Sequence, residues 1–313
     1  MATKVLLIHD AAIDEYMSTV LLATMPNVEL AGIVVVSADC IGGVAMQVAW
    51  KIQHFIGMPG VPLSLSGARG LNPFPWAYRG DCINQGQIAA LERFGPNGHW
   101  PPYPNGDAFL RDFFNKLEGT VTVLCLCPIT PLTDLLRAMP GAAAKIDHVI
   151  WMAGAINVAG NLDPTTIPPS VANPYAEWNV FWDPPAVKQF FDKTSFPITL
   201  FPLDITNSAK ITPDFLNRLL IAGKQFRYAD LARQSYALVG NEPFYDMWDV
   251  TATTYLARPD LYTAPQRMEL AVGVSDDKPG AIYPKAGGRA VDVVLSFANL
   301  PGFYDYFIQQ FSR

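Results

Sequence analysis

Apolar runs of strand length recur along this chain at 4–9, 28–37, 121–126, 148–153 and 198–203, and the stretches between them mostly carry helical periodicity. Such near-continuous Val, Ile and Leu runs suit parallel strands covered on both faces. Strands alternating with helices make βαβ units, so the expected fold is α/β: a single open, mostly parallel mixed sheet flanked by helices. The helix at 13–25 is the clearest, with Ile13, Met17, Val20, Leu21 and Thr24 on one face and Pro26-Asn27 ending it. A second, about 41–57, places Val44, Val48, Ile52 and Phe55 alike. The pattern is helical over 225–257, and strands at 268–274 and 290–297 precede a helix near 303–312. No repeat, low-complexity tract or linker divides the chain, and 1–313 reads as one domain.

Composition removes several function classes. With 50% hydrophobic residues the chain can close a large core. Its 22 Lys+Arg against 28 Asp+Glu, without a basic cluster, argue against a nucleic-acid partner. The apolar run Val5-Leu6-Leu7-Ile8 breaks at His9-Asp10, too soon for a secretory h-region or a membrane span. Cys40, Cys82, Cys125 and Cys127 make no disulfide framework, and Cys125-x-Cys127 lacks zinc or redox spacing. A cytoplasmic protein with no membrane partner is expected, with Cys125 and Cys127 strand residues in or near the core.

In open α/β sheets the ligand site lies beyond the carboxyl ends of the strands. The residues that follow the apolar runs are acidic there: His9-Asp10 through Asp14-Glu15 after the first, Asp39 after the second, and Asp249 after a much later run. Two like charges about 4 Å apart repel by about 4 kcal/mol at an effective dielectric near 20, so such a cluster holds protons or a cation. All-oxygen ligands suit Ca²⁺ or Mg²⁺. The competing reading is that the carboxylates cap and charge a helix N-terminus. Two Gly- and Pro-rich stretches, 66–105 and 154–176, are long enough to be functional loops.

At these residues the chain resembles the inosine-uridine-preferring nucleoside hydrolases, closest to their purine-specific branch. The resemblance rests on Val5-Leu6-Leu7-Ile8-His9-Asp10 with Asp14-Glu15, on Trp151-Met152-Ala153-Gly154-Ala155 through Gly160-Asn161, on Ala176-Glu177-Trp178-Asn179, and on Met247-Trp248-Asp249. It implies a nucleoside hydrolase fold with a Rossmann-like core, and hydrolysis of purine ribonucleosides to free base and ribose. It further implies Asp10 as both calcium ligand and the base that activates the attacking water. Glu15, Asp249 and the Leu126 carbonyl would be the other ligands of Ca²⁺. Asp14, Asn161, Glu177 and Asn179 would hold the ribose, Asp39 would face the purine, and Trp248 with Tyr78 would stack on it, with Trp76 a possible stand-in for Tyr78. His9 also matches the purine branch, and Asp204 and Asn207 would support the site from behind. A homodimer or homotetramer working in nucleoside salvage is the family expectation.

The chain departs from the family pattern around the metal: Ile8 stands where an Asp is usual, Glu15 where a second Asp is, and Leu126-Cys127-Pro128 where Thr-Gly-Pro is. Two other readings therefore stand beside catalysis on purine ribosides: a nucleoside- or ribose-binding pseudoenzyme, and a hydrolase of another N-riboside. His54 and His148 are expected to be structural, and His99 to stay out of the chemistry.

Overall fold

The computed structural model, which describes residues 2–76, 80–240, 242, 245–275 and 278–313, contains one nine-stranded sheet. Its strands are β1 (Thr3–His9), β2 (Val28–Val35), β3 (Leu63–Leu65), β4 (Val121–Leu126), β5 (Ile146–Met152), β6 (Ile198–Phe201), β7 (Gln266–Val272), β8 (Ile282–Pro284) and β9 (Arg289–Val293). They lie in the order β3-β2-β1-β4-β5-β6-β9-β7-β8. Pairing is parallel from β3 to β9, and β7 and β8 join antiparallel at one edge. This is the mostly parallel mixed sheet that the apolar runs imply.

The longer helices are α1 (Ile13–Thr24), α2 (Gly42–Phe55), α3 (Gly106–Lys116), α4 (Thr130–Ala138), α5 (Pro184–Lys193), α6 (Pro213–Ala222), α7 (Arg227–Ala237), α8 (Trp248–Tyr255) and α9 (Leu300–Phe311). They cover both faces, because strand side chains alternate. On β1, Val5 and Leu7 enter a core shared with α1, α2 and α6 to α9, whereas Leu6 and Ile8 enter a second core against α3, α4 and α5. Among the described residues no helix is long and apolar enough to cross a membrane.

Three differences from the sequence reading have physical causes. The edge strands β3 and β8 have three residues each, too few to show a period. The helical stretch at 225–257 divides into α7 and α8, with Asp246 between them bridged to Lys210. The last helix starts at Leu300 rather than 303, because the Asn299 side chain accepts from Gly302 N at 2.9 Å and caps it. All four cysteines are free and buried, as the reading of Cys125 and Cys127 as residues in or near the core requires.

The second core is anchored by Trp151, fully buried, edge-on to Phe190 at 6.0 Å and Phe191 at 6.4 Å. Its indole N–H donates to Cys127 O at 2.9 Å. Trp151→Ala would leave a cavity beside the end of β4 and leave Cys127 O with only the weak Cys125 Sγ donor at 3.3 Å. A loss of about 3–5 kcal/mol in urea-induced unfolding is expected.

Candidate active site

The chain runs from β1 outward to β2 and β3, then crosses back to β4 beside β1. The C-terminal ends of β1 and β4, paired at His9 and Leu126, are therefore the point where strand order reverses and a crevice opens. A cavity of about 420 Å³ lies there, lined by Asp10, Glu15, Asp39, Leu126, Trp248 and Asp249 among others. The turn leaving β1 is strained: Ala11 has φ +75, a left-handed conformation that costs a residue with a Cβ about 1–2 kcal/mol. That turn brings Asp10 against the first turn of α1, where Glu15 sits.

Asp10, Glu15 and Asp249 are all at most 5% exposed. Burial, then repulsion from Glu15, holds the Asp10 and Asp249 carboxyls well above the usual carboxylate range. Burial likewise pushes Glu15 up to about 7, against a hydrogen bond with Asp10 that pulls it down. The hydrogen bond between them favours the protonated form of Asp10, and Asp39 adds further repulsion to both. Asp10 Oδ2, Glu15 Oε2 and Asp249 Oδ1 are buried without a hydrogen-bond partner. No group of three or more His, Cys, Asp or Glu side chains among the described residues is disposed to hold a metal ion as it stands.

Asp14 has a different place from the one expected of a ribose ligand. It is fully buried and absent from the described cavity lining. Its Oδ1 accepts from Tyr236 Oη at 2.6 Å, and its Oδ2 from Asp249 N at 2.6 Å and Val250 N at 2.8 Å. The carboxylate caps the N-terminus of α8 from α1 and so fixes Asp249. The helix that Asp14 itself opens, α1, has no side-chain cap.

The facing wall comes from the loop after β5 and the short helix Trp178–Phe181. Glu177 accepts from Gly154 N and Asn179 N, each at 2.9 Å, and burial pushes it up to about 7. Asn179 Nδ2 donates to Met152 O at 3.0 Å, and Asn161 Oδ1 accepts from Trp178 N at 3.0 Å. Gly160 permits this, since a Cβ there would stand 2.0 Å from Ala176 O. Asp204 accepts from Ile156 N and Asn157 N, so it holds the loop rather than meeting the cavity. Asn207, expected behind the site, lines it.

Of the lining aromatics, Trp248 packs on Tyr245 with ring centroids 4.8 Å apart, and Trp76 packs edge-on to Trp178 at 5.4 Å. Tyr78 lies outside the described residues. His9 is buried and neutral, its pKa lowered to about 3 by desolvation. His54 stacks on Trp50, His148 bonds Thr199, and His99 does not reach the described lining. Sequence reasoning missed Lys210 and Asp246, a lining pair 2.9 Å apart, because neither follows an apolar strand.

A doubly wound sheet with an acid-lined cavity at its switch point defines an α/β protein built to bind a small polar ligand. The chain belongs to the inosine-uridine preferring nucleoside hydrolase family, whose model matches residues 5–300, and it is thereby an N-glycosyl hydrolase. It is similar over nearly its whole length to the inosine-uridine preferring nucleoside hydrolase of Bacillus anthracis, with a TM-score of 0.84, 28% identity and 99% of each chain covered. It is 23% identical over 300 residues to an uncharacterized protein of Schizosaccharomyces pombe, covering 87% of this chain and 88% of that one. It is 28% identical over 154 residues to the non-specific ribonucleoside hydrolase RihC of Salmonella paratyphi A, spanning 49% of this chain and about half, 47%, of that enzyme.

Two outcomes follow for stability. Asp14→Ala leaves three donors unpaired, so an unfolding free energy lower by about 3 kcal/mol or more is expected in urea titration; an unchanged value would return Asp14 to a ligand-only role. In chelator-treated protein Asp14, Glu15 and Glu177 titrate at about 7 when folded, against 3.8 to 4.5 when unfolded. Between those values the folded chain holds protons that the unfolded chain has released. Stability should therefore fall as pH rises from about 4.5 through about 7, measured as urea midpoints across that range.

Proposed function

We propose that this chain hydrolyses the N-glycosidic bond of purine ribonucleosides to free base and ribose, with calcium as its metal. The observation that carries the reading is the set of three buried oxygens without partners, Asp10 Oδ2, Glu15 Oε2 and Asp249 Oδ1, on side chains lining one cavity. Desolvated carboxylates that lack donors need a cation, and an all-oxygen set fits a hard one. Asp10, Glu15, Asp249 and the Leu126 carbonyl would hold it. When bound, the ion supplies the charge that keeps these carboxylates ionised and makes a nearby water more acidic.

The chain's own groups then divide the work. Asp10 takes a proton from the water that attacks C1′ on the face opposite the base, as departure of the base leaves an oxocarbenium-like ribosyl centre. Asn161, Glu177 and Asn179 hold the ribose, and Asp14 acts through the position of Asp249. Trp248 stacks on one face of the purine, and Trp76 lines the same cavity. Asp39 faces the base edge. Walls of Trp and Leu exclude water from the bond being broken.

Purified protein should release hypoxanthine from inosine, lose that activity with a chelator and regain it with calcium. Asp10→Ala should lower kcat by about 10²–10⁴-fold, the range for a general base. 2′-Deoxyinosine should react at least about 10²-fold more slowly, because its missing hydroxyl leaves buried groups unpaired. Release from no purine, pyrimidine or nicotinamide riboside, with ribose still bound, would make the chain a binding protein instead.

A further inference from the structure

Asp14 has a partner at each end of the segment that leads from α7 into α8. Tyr236, in the last turn of α7, donates from Oη to Asp14 Oδ1 at 2.6 Å. Tyr245, which comes just before α8, accepts from Asp14 N at 3.3 Å through its own Oη. Both tyrosines are buried, Tyr236 completely, and neither belongs to the described cavity lining. The Tyr236 ring packs edge-on to Phe215 of α6 at 5.7 Å and lies 6.2 Å from Phe307 of α9. Its hydroxyl is therefore aimed by the core rather than by the site.

The N-termini of α1 and α8 thus cap each other. Neither helix has a side-chain cap from the residue that precedes it. Tyr245 gives a first-turn amide of α1 its acceptor, and Asp14 Oδ2 serves the amides of Asp249 and Val250 on α8. A carboxylate can offer either oxygen, and the charge-assisted bond from Tyr236 occupies one of them and leaves the other to α8. Asp249 Oδ1 is buried without a partner, so the turn that carries this side chain is fixed from behind, through Asp14.

We propose that Tyr236 is a positioning residue of the metal site: acting through Asp14, it fixes the first turn of α8 and so presents the Asp249 carboxyl to a cation shared with Asp10 and Glu15. This rests on the metal site of the reading given above. A turn ordered before the ion arrives loses no freedom on binding, whereas a looser one weakens binding by the cost of ordering it.

The test measures calcium affinity of the whole chain by isothermal titration calorimetry, beside kcat and KM on inosine. It uses wild type, Tyr236→Phe, Asp14→Asn, the double variant of the two, and Tyr262→Phe. The last is a matched control: it too removes a buried phenol hydroxyl bonded to α8, at Thr251 O 2.7 Å away. Calcium binding about tenfold weaker is expected in Tyr236→Phe, the effect of losing one hydrogen bond to a charged group, with Tyr262→Phe close to wild type. Asp14→Asn should weaken binding at least as much, and Tyr236→Phe should then add little to it, because the route runs through that carboxylate. Added calcium should restore kcat of Tyr236→Phe on inosine with KM little changed. Equal weakening in Tyr236→Phe and Tyr262→Phe, or in neither, overturns the positioning role and leaves the hydrolase reading intact, as does full additivity with Asp14→Asn. If Tyr236→Phe does not fold, Asp14→Asn decides, and wild-type affinity there overturns the role. A wild type that binds no calcium overturns both readings. One that binds calcium and cleaves no riboside overturns the hydrolase reading alone, and the affinities still decide the role of Tyr236.

Discussion

The site is organised around carboxyl groups that the fold forces together in a desolvated place. Asp10 and Glu15 lie on one strand-to-helix turn, Asp249 opens a helix far along the chain, and all three are buried. Like charges about 4 Å apart repel by about 4 kcal/mol each at an effective dielectric near 20. A repulsion of that size is comparable with the net stability of a whole domain, so the arrangement persists only with its charge neutralised. Protonation, which burial and repulsion between carboxylates favour at both Asp10 and Glu15, is one way to do this. A cation would do it while leaving Asp10 ionised and therefore able to take a proton.

Asp14 is what makes the meeting geometrically possible. Its carboxylate accepts from Tyr236 and from two backbone amides at the start of α8. The first turn of α1 is thereby locked to the first turn of α8, and Asp249 is delivered to Glu15. A charged acceptor at a helix N-terminus also gains from the macrodipole, which offsets part of the cost of burying it. One carboxylate therefore spends its hydrogen bonds on holding the scaffold, and its neighbours keep oxygens without partners. This division of labour between adjacent acids is not visible in their spacing.

The sheet was legible because β1, β2, β4, β5 and β6 are buried on both faces and so read as continuous apolar runs. The three-residue edge strands β3 and β8 carry no such signal. In the site, Asp10, Glu15, Asp39 and Asp249 could be found because they directly follow strands or open helices, and the Glu177 block because its motif is long. Lys210 and Asp246 escaped: their meaning lies in a bridge between segments 36 residues apart, and a lone Lys outside any motif looks like solvated surface. Asp14 was found but assigned by analogy, and only its three donors separate a cap from a ligand.

The departures around the metal also take a coherent form in three dimensions. Ile8, where an Asp would be usual, and Cys127, where a Gly would be, both belong to the second core and are fully buried. Cys127 nevertheless lies near enough to Asp10 and Glu15 for their charges, after burial and Cys125, to oppose ionisation of its thiol. Ile8 brings no carboxyl to the cluster, and its side chain is fully buried. The Glu15 carboxyl is hydrogen-bonded to that of Asp10. Fewer acids behind the cluster mean less repulsion to neutralise, while drier surroundings raise the energy of each remaining charge. Neutralising the charges that remain, by protons or by a cation, is therefore the condition on which the cluster persists.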